Sequence, residues 1–374
     1  MNPALIIASD QDLAKLMEEA RSCDAVALDT EFVWERTYYP QLGLIQIGLS
    51  GEKCYVIDPV AIKDLSPLGT LLADKKVIKI LHDAPQDLSI LSTATNSVPQ
   101  NIFDTRLAAG FAGFRSTISL SQLIQNLLGT ELDKSETRTN WLKRPLTEKQ
   151  LRYALDDVRY LRTARVALLG QIIDPGIKTW LQEELNQLNN SSSYSPIADH
   201  DRYKKIRGIN KLNPKQLSIA KDLAIWREQM ARELNRPRGH IIKDKIILEI
   251  ATRPINSQDA LKKTSLSEKG YEKYGQQLFQ IAINSRKSPL DSGLSQKKRP
   301  LTSKEKNTLQ HLKDLIAMKC DILNIDPALI GSSSELKKLV KSLHSGQHSN
   351  LKQTIGWRKE LLKNFFIFHN SQNV

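Results

Sequence analysis

The stretch "AVALDTEF", residues 25–32, constrains this chain more than any other. Ala25, Val26, Ala27 and Leu28 form an apolar run suited to a buried strand, and Asp29 and Glu31 follow at its end. In a β-strand, residues i and i+2 face the same way, so both carboxylates are aimed at one point. They repel each other, and desolvating each costs several kcal/mol. A shared proton, basic neighbours or a divalent cation could stabilise them. The strand itself contains no Lys or Arg. Solvated strands often carry Asp-x-Glu, but at a strand's end after an apolar run the pair reads as functional.

The first half of the chain alternates short apolar runs with helical patterns. Residues 26–29, 42–49 and 54–57 read as strands joined by tight connections, which favours an antiparallel meander. Residues 76–82 read as a fourth strand, followed by a helix start with Asp83 as cap and Pro85 in the first turn. A fifth short strand is expected near 101–104. Helices are expected over 105–111, 119–128, 147–170 and 177–188. The result is an α/β domain with a mixed sheet. A polar break at 189–196 reads as a linker, and from 213 onward only helices are expected, with a second break over 289–300. The two helical segments look like loose repeats, each a long helix ending near Asn235-Arg236-Pro237 or Ile325-Asp326-Pro327.

Charge separates these parts. Residues 1–200 carry 20 Lys and Arg against 25 Asp and Glu, whereas residues 201–374 carry 34 against 16. A basic excess confined to one half points to a polyanionic partner, and nucleic acid is the commonest. Arg202, Lys204, Lys205, Arg207 and Lys211 cluster near its start, with Arg232, Arg236 and Arg238 beyond. No stretch approaches the ~18–20 apolar residues of a membrane span. The N-terminus lacks the basic region of a secretory signal. Three dispersed cysteines fit a reducing cytoplasm, which is the expected location.

Further acids follow the first pair. Asp87 lies in the first turns of the helix after the fourth strand, where it either favours the helix dipole or joins a site. Tyr153 and Asp157 are four apart and share one helix face. Tyr153 could equally be a half-buried tyrosine at the core's edge.

Together, Asp29-Thr30-Glu31, Asp87, and Tyr153 with Asp157 resemble the three motifs of the DEDDy 3′→5′ exonucleases. Within that superfamily, "LDTEF", "LIQIG", "KILHDAPQDL", "IFDTRLAAG" and "SETRTNWLKRPLTEKQLRYALDDVRYL" are similar to the ribonuclease D family. The helical modules resemble HRDC domains (helicase and ribonuclease D, C-terminal). The resemblance implies a ribonuclease H-like exonuclease domain over 1–195, a basic HRDC domain over 205–290 and a second HRDC-like domain over 298–374.

It further implies a metal-dependent exoribonuclease that releases nucleoside 5′-monophosphates from RNA 3′ ends, tRNA precursors being typical substrates. Asp29, Glu31, Asp87 and Asp157 would ligate two divalent cations, Mg²⁺ or Mn²⁺, and Tyr153 would orient the attacking water. The neighbouring Asp156 would be a solvated bystander, and the enzyme a monomer. Thr30, Phe32, Gln46, His82, Arg138, Lys204, Lys205, Arg207, Arg236 and Arg238 are candidate RNA contacts. For Thr30 and Phe32 core packing is an equal alternative, and for Gln46 and His82 a satisfied core hydrogen bond is the commoner role. Trp141 reads as a packing anchor, and Lys143 and Arg144 as loop cations. The alternatives are a DNA exonuclease with the same acids, or a nucleic-acid-binding protein without activity.

Overall fold

The computed structural model describes residues 6–50, 52–133, 135–136, 139–195, 198–288, 299–346 and 350–371. The chain forms two compact units. One comprises Met1–Phe32, Leu42–Ser195 and Leu301–Val374, and the other Val33–Gln41 and Pro196–Pro300.

The first unit is built on a six-stranded sheet. In chain order its elements begin with β1 (Ile6–Ile7), α1 (Asp10–Arg21), β2 (Ala25–Val33), β3 (Gln41–Gly48), β4 (Cys54–Ile57) and α2 (Ser66–Ala73). Next come β5 (Ile78–Leu81), α3 (Pro85–Thr95), β6 (Ile102–Asp104), α4 (Thr105–Phe111) and α5 (Leu120–Leu128). Then follow α6 (Glu148–Arg159), α7 (Leu161–Gln171) and α8 (Pro175–Gln187). The strand order is β1-β4-β3-β2-β5-β6. β3 and β4 are antiparallel, as their short connection requires, while β1–β4, β2–β5 and β5–β6 pair in parallel. This is the expected mixed sheet, with β2 between two neighbours. Ala25 to Leu28 are fully or almost fully buried, so the apolar half of β2 is core and only its C-terminal half opens toward a site.

Two local expectations need correction. The pattern over 147–170 reads as one helix, but the chain breaks at Tyr160, so that α6 packs on β4 and α7 on α4, α5 and β5. Continuous apolar periodicity does not reveal such a bend. Asp83 does not cap α3: it has a positive φ of 63° and its carboxylate is paired with Arg106. Asp104, at the end of β6, accepts from the backbone N–H groups of Asp83 at 3.1 Å and Ala84 at 2.9 Å. It also caps α4, accepting from Arg106 N at 2.8 Å and Leu107 N at 3.2 Å.

The second unit contains α9 (Pro214–Glu233), α10 (Arg238–Ile241), α11 (Asp244–Thr252) and α12 (Glu268–Lys287). Its core gathers Ile219, Leu223, Ile247, Ile250 and Leu278, and includes Tyr38 from the segment Val33–Gln41. The C-terminal helices α13 (Ser303–Leu323), α14 (Ser333–His344), α15 (Gly356–Leu361) and α16 (Lys363–Ser371) belong to the first unit. α9 is followed by a left-handed asparagine, Asn235, and α13 is capped by one, Asn324. The second break falls mostly on 289–298, outside the described residues.

Candidate active site

Asp29 and Glu31 leave β2 on one face, as the strand period demands. Asp157 arrives from α6, whose start is fixed by a capping box. Thr147 N donates to Gln150 Oε1 at 2.9 Å, and Gln150 N donates to Thr147 Oγ1 at 3.2 Å. The glycines flanking "LIQI" let the covering elements come close. A Cβ on Gly48 would stand 3.1 Å from Val158 O of α6, and one on Gly43 only 2.8 Å from Trp141 Cβ and O. Trp141 is 2% exposed and packs near the Tyr153 ring, their centroids 6.0 Å apart, so it is a packing anchor.

These approaches bring Asp29, Glu31 and Asp157 together, each offering a carboxylate oxygen within 4.8 Å of the others. Asp87 stands outside that trio. It is buried on α3 and accepts a short hydrogen bond from the Thr30 hydroxyl. Thr30 therefore faces Asp87 from the strand face opposite Asp29, and its hydroxyl is engaged with a carboxylate.

The electrostatics follow from crowding. Burial, then repulsion from Asp87, Asp157 and Glu31, holds the Asp29 carboxyl well above the usual range. Burial and the charges of Asp157 and Asp87 push Glu31 up to about 8. Burial first, then Asp156 and Asp87, raises Asp157 to about 7. Burial lifts Asp87 to about 6, opposed by the Thr30 hydrogen bond. No basic side chain is among the causes that shift Asp29, Glu31 or Asp157, so a divalent cation is the counter-charge that fits. The Tyr153 hydroxyl is held above its ordinary range by burial and by Asp157, Glu31 and Asp29, and so stays protonated.

The other sequence candidates fall into two groups. Several are committed to the protein itself. His82 Nδ1 lies 3.0 Å from Thr105 Oγ1 and Nε2 lies 3.1 Å from Ile118 O, a satisfied core histidine. Arg144 binds Asp58 at 2.6 and 2.7 Å and the carbonyls of Gly43, Trp141 and Lys143. Arg238 is held by Glu228 at 2.5 and 2.6 Å, and Lys204 by Asp201 at 2.6 Å. Asp156 is half-buried, keeps partial solvent exposure and pairs with Arg159 at 2.8 Å. Gln46, by contrast, is fully buried, and among the described residues neither amide atom has a hydrogen-bond partner. The second group is more accessible: Phe32 is half-buried, and Lys143, Lys205, Arg207 and Arg236 are exposed. Arg138 lies outside the described residues. Sequence reasoning missed Asp104; an Asp directly before the helix pattern at 105 was the available signal.

A 3′-5′ exonuclease family model matches residues 5–173, the region that carries all four acids and Tyr153, and an HRDC domain model matches 216–282. Ribonuclease D of Desulfotalea psychrophila is 61% identical over 365 residues, 97% of this chain and 98% of that protein. The chain belongs to the ribonuclease D family. Ribonuclease D of Escherichia coli K12 is 32% identical, over 96% of each chain. The crystal structure of Escherichia coli RNase D, "an exoribonuclease involved in structured RNA processing", superposes with a TM-score of 0.86 at 31% identity, covering 98% of both chains. The enzyme is a 3′→5′ exoribonuclease, with an RNase H-like exonuclease domain followed by a helical HRDC region.

Proposed function

We propose that the enzyme trims accessible RNA 3′ ends, tRNA precursors among them, as a cytoplasmic monomer using Mg²⁺ or Mn²⁺. The single observation that supports this most is the convergence of Asp29, Glu31 and Asp157 within 4.8 Å, without a basic partner, close enough to the Tyr153 hydroxyl to raise its pKa. Carboxylate oxygens are the ligands such hard cations prefer. Asp29, Glu31 and Asp157, with Asp87 beside them, would hold the divalent cations. Two such cations, when bound, supply charge relief at the phosphate and a water of lowered pKa.

The chain's own groups do the rest. Tyr153 keeps its proton at neutral pH and so acts by donating or accepting a hydrogen bond that orients the water, not as a general base. Thr30 fixes the Asp87 carboxylate through its hydroxyl. Water adds to the terminal phosphorus, the P–O3′ bond breaks, the 3′ oxygen leaves with a proton, and a nucleoside 5′-monophosphate is released. Domain limits of 1–195, 205–290 and 298–374 complete the reading.

The test is incubation of matched end-labelled RNA and DNA with Mg²⁺, Mn²⁺ or chelator. Mononucleotides from the RNA 3′ end, only with metal, are expected. Equal release from DNA would replace the substrate, and release in chelator would remove the metal.

A further inference from the structure

The exonuclease site borders one buried polar side chain that the chemistry above does not use. Gln46 lies within β3 and is wholly buried. Among the described residues neither its Nε2 nor its Oε1 has a hydrogen-bond partner. Unmet polar atoms inside a protein cost free energy, and native folds rarely keep them without a reason. The neighbouring Leu44, Ile45 and Ile47 are apolar and just as buried, so the strand itself does not require an amide there.

Strand register locates the amide. β2 and β3 are neighbours in the sheet, and residues 34–40 between them are too few for a parallel crossover, so the two strands run antiparallel. A Cβ on Gly48 would stand 3.4 Å from the Cβ of Ala27. That closeness belongs to residues directly opposite each other, since diagonal neighbours are about 7–8 Å apart. Two steps along each strand then set Gln46 opposite Asp29, and two more set Leu44 opposite Glu31. β3 keeps an unbroken register with β4 from Ile45 to Gly48, so no bulge in β3 alters the count. The shared face is the one α6 covers, because Val158 O would lie 3.1 Å from the same Gly48 Cβ, and α6 also carries Asp157. Opposed residues have Cβ atoms about 4.5–5.5 Å apart, a gap that a Gln side chain spans to reach a carboxylate. On the other flank, the register of Ala27 with Ile80 sets Asp29 beside His82, whose ring nitrogens already meet Thr105 Oγ1 and Ile118 O.

We propose that Gln46 is a positioning residue for the exonuclease reaction: its amide N–H donates to the Asp29 carboxylate and fixes which oxygen Asp29 offers to a divalent cation. The inference rests on the metal-dependent reading of Asp29, Glu31 and Asp157. A carboxylate has about four lone-pair positions, so a cation and an amide can share it. Carboxylates that ligate metals are commonly oriented by hydrogen bonds of this kind. A neutral donor suits the place, because a Lys or Arg would compete with the cation for the same charge.

Gln46→Met tests it, since the length of the side chain is kept and both polar atoms are removed. Gln46→Leu is the second variant, for the case that Met overfills the site. Each full-length variant is melted in chelator, titrated with Mn²⁺ by calorimetry, and assayed on labelled RNA at saturating Mn²⁺. In chelator both should melt no lower than the parent, because an unmet amide has given way to apolar atoms. Mn²⁺ binding should weaken roughly tenfold, the loss of one hydrogen bond to a charged group. The kcat should fall by a similar factor while KM for RNA stays unchanged. Folded variants that bind Mn²⁺ and turn over like the parent would overturn the proposal. So would a lower Tm in chelator with Mn²⁺ affinity intact, which would make Gln46 a structural residue only. A parent enzyme that binds no Mn²⁺ would overturn the metal-dependent reading and this inference with it, whereas equal binding by parent and variants would overturn the role of Gln46 alone.

Discussion

At the scale of single residues, the site is a place where stability is given up for chemistry. Asp87, Asp157 and Glu31 titrate near about 6, 7 and 8, above their ordinary range. The folded chain therefore binds more protons than the unfolded one between about pH 4 and 8, and metal-free stability falls as pH rises through that window. Glu31→Gln removes one repelling charge. In chelator at pH 8 it should raise the Tm, by about 2–4 °C for each kcal/mol relieved, while cleavage is lost. The gain should vanish by pH 4. A lower Tm at pH 8 would show that Glu31 is a structural anchor. Tyr153→Phe removes only a hydroxyl, so turnover should fall about 10²–10³-fold with RNA binding in chelator retained. Parallel loss of binding would make Tyr153 a stacking residue. The β2 acids and the Tyr153/Asp157 pair were legible because strand and helix periods fix which side chains share a face. The Thr30–Asp87 hydrogen bond was not, since it joins residues 57 positions apart.

At the scale of elements, Asp104 ties the site to the sheet. One buried carboxylate caps α4 and also accepts from the Asp83 and Ala84 N–H groups in the turn just before α3, which carries Asp87. Asp104→Ala should cost about 1 kcal/mol through the lost α4 cap and raise the Mg²⁺ concentration needed for half-maximal rate, since the turn that leads into α3 and Asp87 loses its anchor. Thermal melting and a Mg²⁺ titration check this, and an unchanged metal requirement would separate the cap from the site. Strands β2 to β6 could be read from apolar runs and turn residues. The second set of Asp104 bonds could not, because it reaches a turn some twenty residues earlier. The fates of Arg144 and Arg238 were hidden for the same reason, as Asp58 is 86 residues from Arg144. The identity of a basic residue does not show whether a carboxylate has already claimed it.

At the scale of the whole molecule, the C-terminal helices are bound to the exonuclease part of their unit by a mixed aromatic and ionic contact. Trp357 stacks on Trp180 at 5.3 Å and meets Phe111 edge-on at 5.3 Å. Its indole N–H donates to Glu184 at 2.8 Å, and Arg358 grips the same carboxylate at 2.5 and 2.9 Å. Trp357→Ala should cost about 3–5 kcal/mol, lowering the Tm and speeding protease removal of the C-terminal helices. An unaltered proteolysis rate would show that the contact contributes little. The repeat pattern announced a second helical module but not this docking, which depends on shape matched to α8. The uneven charge, too, is legible in the sequence, with the Lys and Arg excess confined to residues 201–374. The convergence of Asp29, Glu31 and Asp157 is the centre of the account, and Mn²⁺ soaked into crystals tests most directly whether it holds metal. The expected result is an anomalous peak about 2 Å from oxygens of Asp29, Glu31 and Asp157. Manganese that binds elsewhere, leaving those three carboxylates bare, would contradict it.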